Sequence, residues 1–364
     1  MIRARSTTTL CIVFVCIIHG LISGCSSFGP ASIRGGRVAY NEAITETGNQ
    51  QLLGLIVKHR YVENMQMLAV SSVTANMRVS ARVGTEFGIG PDENFSGNLV
   101  PLSTSVLVEE NPTISYVPLE GEQFIREMLS PIPDELVLLL IAATESPAEA
   151  FATLIKSING IPNRAFISAF GDDDQRFSRV IELLGILDIA NAIHWRIPGA
   201  ENEPSRHALI LRWPPELDDE AEELLALLVA GAPPRERTAV LELASGGRAA
   251  DDGTLHLQTR SIGELIRIAG ASMDIAPEHL ETGLARDVRG VAEPSRLIRI
   301  RGDDDRPRDA YVAVEHRGWW YWIDATDVSS KQYFKLLTTL ISVRLADSVR
   351  GQSRSPVLTI PTSR

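Results

Sequence analysis

Cysteine is almost absent. Cys11, Cys16 and Cys25 are the only three in 364 residues, so nothing beyond position 25 can form a disulfide or a cysteine-rich metal site. Lysine is scarce as well, with Lys58, Lys156, Lys331 and Lys335 set among an excess of arginine. Acids outnumber bases 46 to 35, a formal charge of −11. That sign excludes general nucleic-acid binding, which needs a positive face, and a broad electrostatic hold on anionic lipid. The apolar run Leu10–Ile18 is too short to span a bilayer. The sequence has no HExxH, no GxSxG, no P-loop and no GxGxxG after a strand. The six histidines beyond the first 24 residues are scattered, and no nucleophile stands beside an oriented base. No cofactor or metal is implied, and the reading is non-enzymatic.

What is present begins at the amino terminus. Arg3 and Arg5 precede the run Leu10–Ile18, and small residues lead to Leu21-Ile22-Ser23-Gly24-Cys25. This is the layout of a secretory signal peptide rather than a membrane span. The Ile-Ser-Gly-Cys ending resembles the lipobox of bacterial lipoproteins. That resemblance implies cleavage before Cys25 and palmitate-type acylation of this cysteine, with three chains in all, where two already give a lasting anchor. It also implies that Ser26, where an aspartate would retain the protein at the inner membrane, directs it to the outer membrane, facing the periplasm. Removing residues 1–24 leaves 340 residues and takes the charge from −11 to −13.

The expected class is α+β, with an N-terminal helix plus long β-hairpin and a C-terminal mixed α/β module of hairpins and amphipathic helices. After the signal peptide (1–24), residues 25–37 read as a lipidated tether, 38–133 as the helix-plus-hairpin module, 134–347 as the mixed domain and 348–364 as a disordered tail. Leu52, Leu53, Ile56 and Val57 repeat at helical spacing. From Val73 to Val83 every odd position is apolar and every even one polar, which predicts one strand of eleven residues, roughly 36 Å long. Residues 84–97 form a loop, and a return strand runs from Leu99 to Val108. Leu136–Ala142 is apolar throughout and fits either a strand or a helix. Ser146 with Glu149, and Ser261 with Glu264, are spaced as capping boxes; the first helix is expected to stop at Asn159-Gly160. Thr238–Leu243 and Thr254–Arg260 suggest a hairpin around Ser245-Gly246-Gly247.

Three groups are candidate sites. Val73, Ala75, Met77, Val79, Ala81 and Val83 fit a half-buried strand packed on the helix around Leu53–Val57. They also fit a membrane strand; one chain is then too small to close a barrel, and a homo-oligomer must share the work. Trp319, Trp320, Tyr321 and Trp322 hold three of the five tryptophans and read either as a core strand or as a binding platform. His316, Asp324, Asp327 and Lys331 cluster in sequence, and an acid/base pair of His316 with Asp324 defines a hydrolase alternative. The triplets Asp172–Asp174 and Asp303–Asp305 lack the alternating spacing of a calcium loop, and Arg301-Gly302-Asp303 is too short to be diagnostic.

Asn49-Gln50-Gln51-Leu52-Leu53, Arg60-Tyr61 and the run from Glu110 to Phe124 together resemble an uncharacterised family of proteobacterial envelope lipoproteins, over about the first hundred residues after Cys25. The resemblance carries no catalytic residue. The expected protein is an outer-membrane lipoprotein held by Cys25, with an envelope protein as partner. It acts as a scaffold or accessory component or, in the alternative, as an export or channel subunit that donates the Val73–Val83 hairpin.

Overall fold

Alternation along the strands and 3.6-residue periodicity in the helices sort this chain into an α+β fold. The computed structural model describes residues 28–74, 77–84, 103–110, 113–119, 121–144, 146–163, 175–197, 206–229, 236–246, 253–288, 297–351 and 358–361. Cys25 and the stretch 1–24 read as a signal peptide lie outside them. Contacts divide the chain into Met1–Leu52 and Leu53–Arg364. In the first unit the described residues are helical from Phe28, the opening of helix α1 (Phe28–Arg60), so a helix occupies most of the stretch read as a tether.

In the second unit the described strands form four sheets. A six-stranded one is built from β5 (Ile155–Ile158), β6 (Ile161–Pro162), β7 (Ile193–Arg196), β8 (Ala208–Arg212), β9 (Thr238–Ser245) and β10 (Leu255–Thr259), in the order β6-β5-β10-β9-β8-β7. Its strands alternate. Ala239, Leu241 and Leu243 of β9 and Leu255 and Leu257 of β10 are buried, while Val240 and Glu242 are exposed. Helices supply the cover: α3 (Asp134–Ala143), α4 (Pro147–Leu154), α5 (Arg176–Ile189) and α6 (Asp218–Leu228) pack in series, and the first three pack onto this sheet. The open run at 136–142 is thus a helix, with Val137, Leu138 and Ile141 buried. Each aliphatic side chain fully withdrawn from water contributes about 1.5–3 kcal/mol.

Local signals account for most of the boundaries and misplace two of them. The helix opened at Pro147 stops at Leu154, because Ile155–Ile158 pairs with β10 and β6. Asn159 and Gly160 both have positive φ and form the two-residue turn of a hairpin. Between Ser245 and Leu255 the structure has no hairpin. β9 and β10 run parallel, Leu243 opposite Leu255, since β10 must also meet β5 in antiparallel pairing while β9 meets β8. The predicted boundary after Pro133 is bridged: Ile132 N donates to Arg260 O at 2.9 Å and Thr259 Oγ1 to Ile132 O at 2.6 Å. Helix α2 (Gly121–Leu129) packs on α7 (Ile262–Ala271) and on α9 (Val328–Gly351). The expected tail is partly ordered, with α9 reaching Gly351 and β14 (Leu358–Pro361) pairing with the strand Thr113–Leu119.

Of the two capping boxes, the one at Ser261 is complete. Its hydroxyl accepts from Glu264 N at 3.1 Å, and Glu264 accepts from Ser261 N at 3.0 Å. Ser146 makes no side-chain cap bond.

Candidate functional site

The chain's strictest alternation is found in two sheets rather than in one strand. β1 (Met67–Thr74) pairs with β4 (Thr113–Leu119), and β14 lies on the other edge of β4. β2 (Met77–Gly84) pairs with β3 (Ser103–Glu110) in a two-stranded sheet. Val73 therefore belongs to β1; Met77, Val79, Ala81 and Val83 belong to β2, and Ala75 lies outside the described residues. The register has the same offset in both pairings, with Thr74 opposite Thr113 and Met77 opposite Glu110. The return strand starts at Ser103, beyond Pro101, and extends through Glu109 and Glu110. Directly opposed positions share a face. Val79 stands opposite Val108 and Ala81 opposite Val106, with Arg78 opposite Glu109 on the alternate register. The alternation is strict on β2 but not on β3, where Leu107 stands opposite Ser80 and Glu110 opposite Met77. A two-stranded ribbon is marginal in water by itself, and the register aligns Val79 and Ala81 of β2 with Val108 and Val106 of β3.

The root of the ribbon is built with more care. Helix α1 ends in a Schellman motif: Glu63 N donates to Lys58 O at 2.9 Å and Val62 N to His59 O at 3.2 Å. That motif needs a left-handed residue, normally glycine. Here it is Val62, with φ 58° and 77% exposed, a strained choice for a β-branched side chain. The turn presents Tyr61 and Glu63 to the hairpin of β12 (Ala310–His316) and β13 (Trp319–Asp324) and to the short helix α8 (Pro277–Glu281). Tyr61 Oη lies 2.7 Å from His279 Nδ1 and is also hydrogen-bonded to Tyr321 Oη. Arg317 Nε and Nη2 donate to Glu63 Oε1 at 2.9 and 2.7 Å. The His316 ring meets Tyr61 edge-on at 4.7 Å, and its Nε2 lies 3.4 Å from Glu63 Oε1, off the line of a hydrogen bond.

The electrostatics follow from burial and partners. Burial lowers the His316 pKa below the ordinary 6.5, against the pull of Glu63. The bond from Arg317 holds the Glu63 carboxyl below its usual range. Burial raises both Tyr61 and Tyr321, so both stay protonated at neutral pH. Because the folded pKa of His316 is depressed, its contribution to stability is complete above about 6.5 and is lost as pH falls below that value.

The remaining candidates are placed elsewhere. His316 is opposite Trp319 at the turn end of the β12–β13 hairpin, and Asp324 is opposite Ala310 at the other end. The two are not brought together. Asp324 Oδ1 accepts from Thr326 N at 2.9 Å and Thr326 Oγ1 at 2.6 Å. Asp327 caps α9 by accepting from Ser330 N at 3.0 Å, and Lys331 Nζ donates to Ala325 O at 2.7 Å. The four aromatics do not form one surface. Tyr321 is completely buried, and Trp319 shares its face. Trp320 and Trp322 point the other way, half-buried, with the Arg306 guanidinium 5.2 Å from the Trp320 ring centre. Arg301-Gly302-Asp303 is β11, paired with β13. Gly302 is required there, since a Cβ would stand 2.6 Å from Asp274 O and 2.7 Å from Trp319 Nε1. Asp303 accepts from the amides of Asp304 and Asp305 in a local turn, while Asp172–Asp174 lies outside the described residues. No metal-holding group of His, Cys, Asp or Glu occurs among the described residues. A cavity of about 40 Å³ between α4 and α9, lined by Ser146, Glu149, Ser329 and Gln332, has room for a few waters.

The Tyr61–His279–Tyr321 junction was invisible in the sequence, because its members stand 218 and 260 residues apart and no motif links them. No family model, curated protein or solved structure matches this chain.

Proposed function

We propose that this protein is a lipoprotein anchored through acyl chains on Cys25 to the outer membrane, facing the periplasm, and that it serves there as a non-enzymatic scaffold or accessory component of an envelope complex. The address rests on the basic start, the short apolar run and the Ile22-Ser23-Gly24-Cys25 ending. The observation that carries the role is the two-stranded β2–β3 pair, whose strand Met77–Gly84 alternates apolar and polar residues and which gains stability when it is covered. Among the described residues no helix is long and apolar enough to cross a membrane. The test has two parts. Mass spectrometry of the native amino terminus should find Cys25 acylated, and a bare or uncut Cys25 overturns the address. Capture from detergent-solubilised envelope should recover a partner with the native chain and lose it with Val79→Asp; equal capture by both overturns the role of the ribbon.

The same ribbon favours one second reading, an oligomeric export or channel subunit in which each copy donates its hairpin to a shared barrel. The register offset shared by β1–β4 and β2–β3 is what a donated hairpin needs, because open strand edges are not tolerated in lipid. This reading expects heat-modifiable oligomers of the native chain that Val79→Asp abolishes, whereas an accessory component remains without them.

A further inference from the structure

Helix α1 closes with Lys58, His59 and Arg60, and two further arginines converge there from other elements. Helix α7 crosses the last turn of α1 at Gly270, where an added Cβ would stand 3.5 Å from His59 Nδ1 and 4.0 Å from Arg60 Cβ. Arg267 lies one turn before Gly270 and so shares that face of α7. From the chain after α8, Arg286 N donates to Arg60 O at 3.1 Å. Arg60 is buried, His59 and Arg267 are half-buried, and Arg286 is exposed.

Burial first, and then the charges of Arg267, Arg286 and Arg60, hold the His59 ring below the ordinary 6.5. The three charges have one sign, and among the described residues no carboxylate offsets them at the ring. The acids of the same elements are engaged by other groups. Glu63 accepts from Arg317. Glu264 accepts from Lys156 Nζ at 2.8 Å and acts on Arg260. Glu278 Oε1 lies 4.0 Å from His279 Nε2. Asp287, next to Arg286 in the chain, is exposed and does not act on the ring.

The helix ends do not account for the cluster. Basic side chains at a C-terminus ordinarily serve its last carbonyls. Here the carbonyls of Val57, Lys58, His59 and Arg60 already accept from the amides of Tyr61, Glu63, Val62 and Arg286, at 2.9 to 3.2 Å. Arg267 stands outside the last turn of α7.

We propose that His59, Arg267 and Arg286 form a binding site for a phosphate group, to which Arg60 adds its charge. Guanidinium forks match the oxygens of a phosphate and stay charged at every physiological pH, and the neutral His59 ring supplies one more donor. A dianion set among like charges removes the repulsion between them. The chain leaves that repulsion unrelieved by its own acids, although acids outnumber bases 46 to 35. The phosphate is either a free anion or a lipid headgroup; the recognition chemistry is the same. The site does not depend on what the ribbon meets.

The His59 ring is the reporter. Histidine-selective NMR of the full chain in non-ionic detergent, titrated with inorganic phosphate, should show the ring pKa rising saturably as the anion offsets the arginines. Chloride and acetate at the same ionic strength should do much less. Arg267→Gln and Arg286→Gln should each weaken phosphate binding at least about tenfold, while Arg212→Gln, exposed on β8, leaves it unchanged. Each site variant should also raise the starting pKa of the ring, because a positive neighbour is gone. Micelles carrying phosphatidic acid, in place of free phosphate, test the headgroup as source. A response to free phosphate assigns a soluble ligand, and one confined to the micelles assigns the lipid. No response to either, a response matched by chloride or acetate, or phosphate binding untouched in both site variants overturns the site.

Discussion

The six-stranded sheet and the ribbon are written in the same code and end differently. In β9 and β10 alternate residues are apolar, and helices of the same chain cover them. In β2 the alternation is as strict, yet the described sheet it joins has two strands, β2 and β3. Period-2 patterning specifies that a strand has an apolar face; it does not say whether the cover comes from the same chain. Where the chain supplies it, alternation makes a core.

The contrast breaks most sharply at single positions. Leu257→Ala, at a position 1% exposed in β10, should cost about 2–5 kcal/mol in denaturant unfolding through lost transfer energy and the cavity left behind. Val79→Asp in β2 should shift the same curve by less than about 0.5 kcal/mol while abolishing capture of a partner. If Val79→Asp destabilises as much as Leu257→Ala, the ribbon is an internal core element and the distinction fails. A smaller contrast lies in the two cap positions: Ser261→Ala should cost about 1 kcal/mol because its box is formed, and Ser146→Ala about zero because its box is not. At the root of the ribbon, Val62→Gly should raise stability by up to about 1 kcal/mol, since glycine adopts the left-handed C′ position without strain, offset in part by its greater unfolded-state entropy. Thermal or urea midpoints measure both.

Much of the body was legible from local pattern. The box at Ser261 with Glu264 and the helical spacing of Leu52, Leu53, Ile56 and Val57 stand where the local pattern put them. Asn159-Gly160 was legible in principle, because that dipeptide flanked by Ile158 and Ile161 is a hairpin signal, but the capping residues upstream favour a longer helix. The parallel pairing of β9 with β10 was not legible, as Ser-Gly-Gly between two alternating runs carries the same local signature in either direction. The aromatic run at 319–322 shows its alternation plainly, yet only the sheet reveals which face holds Tyr321 against Tyr61 and which leaves Trp320 beside Arg306.

By itself the sequence determined the acidic balance, the helices and most of the strands, because charge follows from composition and 2- or 3.6-residue periods are properties of neighbouring residues. Tertiary structure alone decided the partners: β10 between β5 and β9, His316 on Glu63 instead of Asp324, and Tyr61 between Tyr321 and His279. Those choices are made by burial and hydrogen-bond satisfaction across hundreds of residues, and no short-range pattern encodes them.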